Sequence, residues 1–310
     1  EETVRVAAPR FDDGGRIESH LEFVRRLTRW FERQEPAAWR QAAAAGAEPG
    51  PVRRHVFLLG YPRSGNTLVE NVLASLPGVR SLEERPTLAE ADLAFLRDDR
   101  ALEQLTHLDP ALAARHRQAY WQRVRAEVPD VDGQVFVDMA PLNGIKLPMI
   151  ARLFPDALVV LCRRDPRDVV LSCFRRHFRV NPSTYQMAGL ERAARHYDAV
   201  MRLVELHLAA LAFEVGDALG FRQGVHQLVQ HGRIAAGSDE VDDDFGVRSG
   251  LEDRALLHQF LPQLAGVGDI AVVRHGKAAA RQIGVKRLDI AQARATCSGV
   301  ANVARRHAAR

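Results

Sequence analysis

The chain has 310 residues, of which 46% are hydrophobic, and a formal net charge of +4. This is enough for one sizeable core, or for one core with a small satellite. The mild positive charge fits an anionic ligand, but no run of Lys and Arg long enough to bind nucleic acid occurs, so we predict no nucleic-acid partner.

No apolar stretch reaches the roughly 18 residues that a membrane-spanning helix needs, so we predict no membrane span. The three cysteines, Cys162, Cys173 and Cys297, match no zinc-binding spacing, and their odd number argues against a disulfide framework. We therefore expect a cytoplasmic protein without a bound metal. The sequence starts at Glu1 rather than Met, as a processed or cut segment of a longer chain would.

The N-terminal part of the chain predicts a helix, a linker and then a strand–loop–helix unit. Apolar side chains at helical spacing in residues 17–33 predict an amphipathic helix packed against the main body. Residues 41–54 combine Ala, Gly and Pro, which is typical of a linker. A short apolar run at 55–59 predicts a buried parallel strand, and residues 67–76 carry the apolar pattern of a helix.

The same alternation continues further along the chain. Short apolar runs at 135–137 and 157–161 predict strands, residues 142–154 and 168–178 suit helices, and residues 188–213 suit one long helix. Strands that alternate with helices indicate βαβ units and a parallel sheet. The predicted fold class is α/β, a P-loop-like three-layer sandwich in which helices flank a central parallel sheet.

The C-terminal third has a different composition. All four Tyr and all three Trp lie before residue 202, and 14 of the 15 Pro lie before residue 183. We therefore divide the chain into an N-terminal helix and linker at 1–54, an α/β domain at 55–213 and a C-terminal region at 214–310. That last region is interpreted as divergent or poorly folded, and a divergent helical subdomain is the alternative.

A glycine-framed loop follows the first predicted strand. Residues 60–67 read GYPRSGNT, and Arg63, Ser64 and Thr67 offer polar donors within this loop. Glycines let the backbone N–H groups curl around an anion, and the following helix start adds partial positive charge. Asn66 stands where a nucleotide triphosphatase carries Lys, so the loop suits one terminal phosphate better than a triphosphate. The alternative is an ordinary turn capped by Ser64 or Thr67.

A second basic segment follows the strand predicted at 157–161. Arg164 stands at the strand end, where open α/β sheets bind ligands, and Ser172 lies about two helical turns later. The guanidinium fork fits phosphate, so these two residues are candidates to bind a second phosphate. Arg167 and Asp168 are expected to pair with neighbours. The alternative is a solvated, basic helix start.

Together these segments resemble the sulfotransferase superfamily, whose members use 3′-phosphoadenosine 5′-phosphosulfate (PAPS). The segments YPRSGNTLVENVLASLPGV and LCRRDPRDVVLSCF resemble its two phosphate-binding segments. The blocks LEERPTLAEAD, FVDMAPLNGIKLPMIARLFPDA and AARHYDAVM extend the resemblance over residues 55–212. The resemblance is closest to bacterial tetratricopeptide-repeat-associated sulfotransferases, and it is weaker to protein-tyrosine sulfotransferases.

The resemblance implies a role for each matching residue. The residues implied to bind the 5′-phosphate are Arg63, Ser64, Gly65, Asn66 and Thr67. Arg164 and Ser172 are implied to contact the 3′-phosphate. Glu84 falls at the position of the catalytic base, which takes the proton of an acceptor hydroxyl as sulfur is attacked. Glu83 is a near competitor, and two ordinary surface carboxylates are the alternative.

Two features depart from the family pattern. The family carries a Lys where this chain has Met139, and a thioether cannot donate a hydrogen bond to the leaving oxygen. Loss of such stabilisation commonly raises the barrier by several kcal/mol. Lys146 is a candidate substitute, although a solvated helix lysine is its more ordinary role. We find neither the expected strand after the long helix nor a basic Gly-containing loop beyond residue 213.

The resulting functional expectation is sulfuryl transfer from PAPS, without a metal, to a hydroxyl or amine on a small-molecule or peptide acceptor. The acceptor is not disclosed by the sequence, and a homodimer is left open. One alternative is a P-loop kinase or nucleotide triphosphatase, in which Asp138 after Phe136 and Val137 would hold magnesium. Another is a non-catalytic protein that keeps the sulfotransferase fold.

Overall fold

The computed structural model describes residues 18–36, residue 39, residues 50–211 and the backbone of two later strands. Six strands form one sheet in the order β2-β3-β1-β4-β6-β5. The strands are β1 (Arg54–Gly60), β2 (Val79–Glu83), β3 (Val135–Met139), β4 (Leu158–Cys162), β5 (Phe213–Gly216) and β6 (Ile270–His275).

The four central strands, β2, β3, β1 and β4, are parallel, whereas β6 pairs antiparallel with β4 and β5 pairs antiparallel with β6. Strands β1 and β3 are buried along nearly their whole length, as expected of parallel strands covered on both faces. In the register of β1 and β4, Gly60 lies opposite Cys162, so the segments that follow these strands leave the sheet at the same edge.

Helices connect the strands and cover the sheet. They are α1 (His20–Glu32), α2 (Asn66–Ala74), α3 (Ala89–Phe95), α4 (Asp99–Thr106), α5 (Pro110–Glu127), a 3₁₀ helix (Pro141–Lys146), α6 (Leu147–Leu153), α7 (Pro166–Arg175), α8 (Pro182–Tyr185) and α9 (Leu190–Ala210). Several begin at a side-chain cap, which satisfies first-turn N–H groups that have no partner inside the helix. These caps are Ser19, Asp98, Asp109, Asp165 and Asn181.

Apolar side chains pack on both faces of the sheet. The larger cluster joins the sheet to α1, α5, α6 and α9, and the smaller one lies between the sheet and α2. The predicted three-layer α/β fold is therefore confirmed. The amphipathic helix predicted near the N-terminus is also confirmed over its described part, because α1 buries Val24, Leu27 and Trp30 and packs against α9.

One strand and three helices in the middle of the chain were not predicted from the sequence. The predictions placed no element between residues 77 and 134, where the structure has β2 and the helices α3 to α5. Strand β2 lacks a regular alternation of buried and exposed residues, and α5 buries only four of its 18 residues. Neither segment therefore shows the pattern on which sequence prediction depends.

The C-terminal region contributes two strands. The sequence indicated no strand after the long helix, but β5 follows α9 almost directly and β6 lies between β4 and β5. A strand of four residues is too short to show a period of two, which explains why β5 was missed. The rest of 214–310 lies outside the described residues, so poor folding there stays a prediction.

Candidate active site

The loop between β1 and α2 has the backbone of an anion-binding turn. Arg63 (φ 71°) and Gly65 (φ 100°) are both left-handed, on either side of Ser64. Such alternating conformations aim successive N–H groups into one concavity. Gly65 is also the N-cap of α2 and contributes no side-chain cap, so the first-turn N–H groups of this nine-residue helix remain without side-chain capping. The cap by Ser64 or Thr67 that the alternative interpretation expected is therefore not formed at this helix start.

Gly60 and Asn66 close the base of this loop. The Asn66 side chain is buried, and its Nδ2 donates to the Tyr61 carbonyl at 2.9 Å. A Cβ at Gly60 would lie 2.6 Å from Asn66 Oδ1 and 2.8 Å from the Cys162 carbonyl oxygen, so only glycine fits between the two strands here. The side chain of Asn66 thus stabilises the loop itself. Asn66 would bind an anion through its backbone N–H and not through its side chain.

The loop contacts the second candidate phosphate segment directly. Arg63 Nε donates to Ser172 Oγ at 3.1 Å, and the thiol of Cys173 lies 3.3 Å from the Pro62 carbonyl oxygen. Ser172 lies on α7, two turns from its start, as the sequence predicted. The structure therefore brings together Arg63 and Ser172, two residues that the sequence assigned to different phosphates.

Arg164 follows β4 at the same edge of the sheet. Its side chain is 46% exposed, and its guanidinium makes a long contact of 3.4 Å with Asp168, one helical turn along. Arg167 instead donates two hydrogen bonds from its guanidinium to the carboxylate of Asp165, the N-cap of α7. This pairing lowers the pKa of Asp165 to about 2. The expected pairing of Arg167 and Asp168 with neighbours is confirmed. Arg164 is an exposed cation two residues after the end of β4.

The two candidate carboxylates have different surroundings. Glu83 accepts a hydrogen bond from Thr67 Oγ1 at 3.1 Å, so it contacts the first turn of α2. Glu84 has a left-handed backbone (φ 49°), and its N–H donates to the Met139 carbonyl at 2.7 Å. Partial burial, followed by the charge of Glu83, raises the pKa of Glu84. Of the pair, Glu84 has the surroundings of a proton acceptor.

An open cleft of about 270 Å³ lies next to Glu84 and reaches the loop at Pro62. One part of its lining is apolar and another is polar. The lining residues are Pro62, Glu84, Arg85, Pro86, Ala140, Pro141, Leu142, Asn143, Phe178, Asn181, Ser183, Thr184 and Met187. A cleft with this mixed lining beside a carboxylate suits a small organic group.

Met139 and Lys146 are the two residues considered for the position at which the resemblance implies a lysine. Met139 is fully buried and belongs to the smaller apolar cluster, together with Val69 of α2. Lys146 is 19% exposed, and its Nζ donates to Asp92 Oδ2 at 2.6 Å. This pairing supports neither interpretation of Lys146, because the ammonium is bound to a partly buried carboxylate instead of reaching the loop or being solvated.

Two buried polar clusters were missed by the sequence analysis. In the first, Tyr61 OH lies 2.7 Å from His196 Nδ1, and His196 Nε2 lies 2.8 Å from His20 Nδ1, which joins the loop to α9 and α1. In the second, the carboxylate of Asp138 accepts from two hydroxyl groups, those of Thr87 and Tyr120. No sequence spacing marks these clusters, because each combines residues of separate elements.

The described ranges contain no group of three or more His, Cys, Asp or Glu side chains placed to hold a metal ion. Among the helices that the structure describes, none is long and apolar enough to cross a membrane.

Comparison with known proteins identifies the family. A profile of the Sulfotransferase family matches residues 55–215. An uncharacterized protein of Aquifex aeolicus (strain VF5) is 30% identical over 146 residues, which are 44% of this chain and 19% of that protein. The chain therefore spans less than a fifth of the length of this relative. The family match runs from β1 to β5 and covers more than half of the chain, and the chain belongs to the sulfotransferase family.

Proposed function

We propose that this chain transfers a sulfuryl group from PAPS to a hydroxyl or amine of a small-molecule or peptide acceptor. The observation that carries the proposal is the contact between Arg63 and Ser172 at the edge where β1 and β4 end. Two anion-binding segments that meet at neighbouring strand ends suit a nucleotide with two separate phosphates. The sequence resemblance to tetratricopeptide-repeat-associated sulfotransferases supports the same donor.

In this proposal the loop residues Arg63, Ser64, Gly65, Asn66 and Thr67 hold the 5′-phosphate of the donor. The N–H groups of the loop and of the first turn of α2 supply most of the hydrogen bonds. Arg164 and Ser172 hold the 3′-phosphate. Arg164 is accessible and only loosely paired, so its guanidinium can turn from Asp168 to a phosphate with little loss.

Glu84 is the proposed general base. The acceptor oxygen or nitrogen attacks sulfur and forms a new bond to it, while the bond from sulfur to the bridging phosphate oxygen breaks. The electron pair of that bond leaves with adenosine 3′,5′-bisphosphate, and the acceptor proton goes to Glu84. The raised pKa of this carboxylate makes it a better proton acceptor than an ordinary surface Glu.

The proposal is tested by transfer of radiolabelled sulfate from PAPS to an acceptor extract, with Arg164→Ala as the matched loss-of-function variant. We expect labelled product with the unchanged chain and strongly reduced product with Arg164→Ala. Calorimetry with ATP and Mg²⁺ provides the test against a kinase. Tight binding of ATP–Mg²⁺ without binding of adenosine 3′,5′-bisphosphate would reject the proposal.

The kinase alternative has a specific observation against it. Asp138, which would hold magnesium, is fully buried, and its Oδ2 already accepts hydrogen bonds from Thr87 and Tyr120. A magnesium ligand must instead reach a hydrated ion beside the phosphates.

A non-catalytic sulfotransferase-fold protein is the second candidate function, because the buried Met139 offers no donor to the leaving oxygen. The test compares Met139→Lys with Met139→Leu in the sulfate-transfer assay. If the missing ammonium alone limits activity, Met139→Lys gains transfer and Met139→Leu does not. Binding of adenosine 3′,5′-bisphosphate with no transfer by any of the three proteins would favour the non-catalytic candidate.

A further inference from the structure

The turn that carries Glu84 is fastened to β3 at both ends. We call residues 84–87, between β2 and α3, the Glu84 turn. At its start the Glu84 N–H donates to the Met139 carbonyl at 2.7 Å, and at its end Thr87 Oγ1 donates to Asp138 Oδ2 at 2.8 Å. The two anchors are thus consecutive residues of one central strand. Inside the turn, the Thr87 N–H donates to the Arg85 carbonyl at 2.9 Å.

Asp138 is an unusual residue to find at this anchor. It lies in the central sheet with no exposed surface, where a carboxylate is unfavourable unless it is hydrogen-bonded. Its Oδ2 also accepts from Tyr120 OH at 2.7 Å, and because that hydroxyl donates to Asp138, its oxygen accepts from the Nε2–H of a neutral His55 at 2.7 Å. Asp138 Oδ1 has no hydrogen-bond partner in the part of the chain that the structure describes.

The arrangement of Asp138 favours a role at the turn over a role in the core. Tyr120 and His55 are already well buried by aromatic neighbours, among them Phe154 and Trp121. Thr87, by contrast, is the point at which an exposed turn enters the core. Glu84 keeps a left-handed backbone, which is unfavourable for a residue with a side chain and persists only where its surroundings enforce it.

We propose that Asp138 is a positioning residue, which acts through the Thr87 hydroxyl to hold the Glu84 turn so that the Glu84 carboxylate faces the cleft. The assignment rests on the proposed function, because it takes Glu84 as the base. The hold on the turn does not depend on that function: the buried bond from Thr87 to Asp138 is needed, beside the bond from the Glu84 N–H to Met139, to fix the conformation of this exposed turn of four residues.

Two substitutions separate this role from a merely structural one. Thr87→Val and Tyr120→Phe each remove one hydroxyl donor from the same oxygen, Asp138 Oδ2, with almost no change in shape. If Asp138 only stabilised the core, both variants would behave alike. If Asp138 positions the turn, Thr87→Val releases the Glu84 turn and Tyr120→Phe does not. Thr87→Ser restores the hydroxyl and is the rescue variant.

The experiment measures amide hydrogen exchange of Glu84 together with steady-state sulfate transfer. For Thr87→Val we expect Glu84 exchange to rise about tenfold and kcat to fall about tenfold or more, with KM for PAPS unchanged, because a misplaced base affects the chemical step and not donor binding. Tyr120→Phe and Thr87→Ser should stay within about twofold of the unchanged chain in both measurements. Thr87→Ala provides the same comparison should Thr87→Val not fold.

Two results would overturn the positioning role. One is wild-type exchange of the Glu84 amide in Thr87→Val. The other is the same loss of protection and activity in Tyr120→Phe as in Thr87→Val. If the unchanged chain transfers no sulfate, the proposed function fails, but the exchange measurement still decides whether Asp138 holds the turn.

Discussion

Arg63 Nε lies within hydrogen-bond distance of Ser172 Oγ, at 3.1 Å, although 109 residues separate the two in the chain. The contact exists because β1 and β4 are hydrogen-bonded neighbours that end together, with Gly60 opposite Cys162. Each strand is followed by a turn and a helix start, which are the elements that bind anions in α/β proteins. A single ligand with two phosphates can therefore contact both turns.

The Ser172 hydroxyl is expected to contribute to nucleotide binding. Ser172→Ala should raise the Kd for adenosine 3′,5′-bisphosphate about fivefold, the usual effect of one lost hydrogen bond. Ser183→Ala is the matched control, because Ser183 lies on another element, α8, where its hydroxyl donates to Asn181 Oδ1 at 2.7 Å. Calorimetry measures both. Equal affinities for Ser172→Ala and the unchanged chain would remove Ser172 from the site.

Gly60 is expected to tolerate no side chain. Gly60→Ala places a methyl group 2.6 Å from Asn66 Oδ1 and 2.8 Å from a backbone carbonyl oxygen, so either the loop or β4 must move. We expect a loss of about 1–3 kcal/mol in the free energy of unfolding and weaker nucleotide binding. The control is Gly189→Ala, where the added methyl meets nothing closer than 3.9 Å. Denaturant titrations measure the free energy of unfolding of both variants. Equal values for the two would contradict the close packing at Gly60.

Glu84 should dominate the pH dependence of transfer. Glu84→Gln should lower kcat by about 10²-fold or more, whereas Glu83→Gln should have a much smaller effect. A base must be deprotonated to act, so kcat/KM should fall as the pH drops through the pKa of Glu84, which is raised above its ordinary value. A pH–rate profile checks this. Equal losses in the two Gln variants would show that the structure does not distinguish the two carboxylates.

Buried histidines should make stability depend on pH. Burial lowers the pKa of His20 to about 4 and those of His55, His196 and His207 to about 3, and it raises the pKa of Asp138 to about 6. Below pH ~6.5 the unfolded chain therefore binds a proton at each His that the folded chain does not, while below pH ~6 the folded chain binds one more at Asp138. The net difference of about three protons favours the unfolded chain as the pH falls.

The free energy of unfolding should consequently fall by about 4 kcal/mol per pH unit between pH ~6 and ~4. His55→Gln, which keeps a donor toward Tyr120, should reduce this slope by about 1 kcal/mol per pH unit. Denaturant titrations at several pH values measure both slopes. A free energy of unfolding that stays constant over this range would mean that these side chains are hydrated in solution.

The sequence was most informative where a pattern is local. The strands β1, β3 and β4 and the helices α2 and α7 all follow from short apolar runs and from residues a few positions apart. The anchoring of the Glu84 turn could not be predicted, because it depends on Asp138 and Thr87, which are far apart in the chain and belong to different elements. The pairing of Lys146 with Asp92 was missed for the same reason.

Binding of adenosine 3′,5′-bisphosphate and of adenosine 5′-monophosphate to the unchanged chain and to Arg164→Ala tests the central claim most directly. If Arg164 contacts the 3′-phosphate while the loop holds the 5′-phosphate, Arg164→Ala should weaken bisphosphate binding by about tenfold or more and leave monophosphate binding within about twofold. An equal loss for both nucleotides, or no bisphosphate binding by the unchanged chain, would contradict the account.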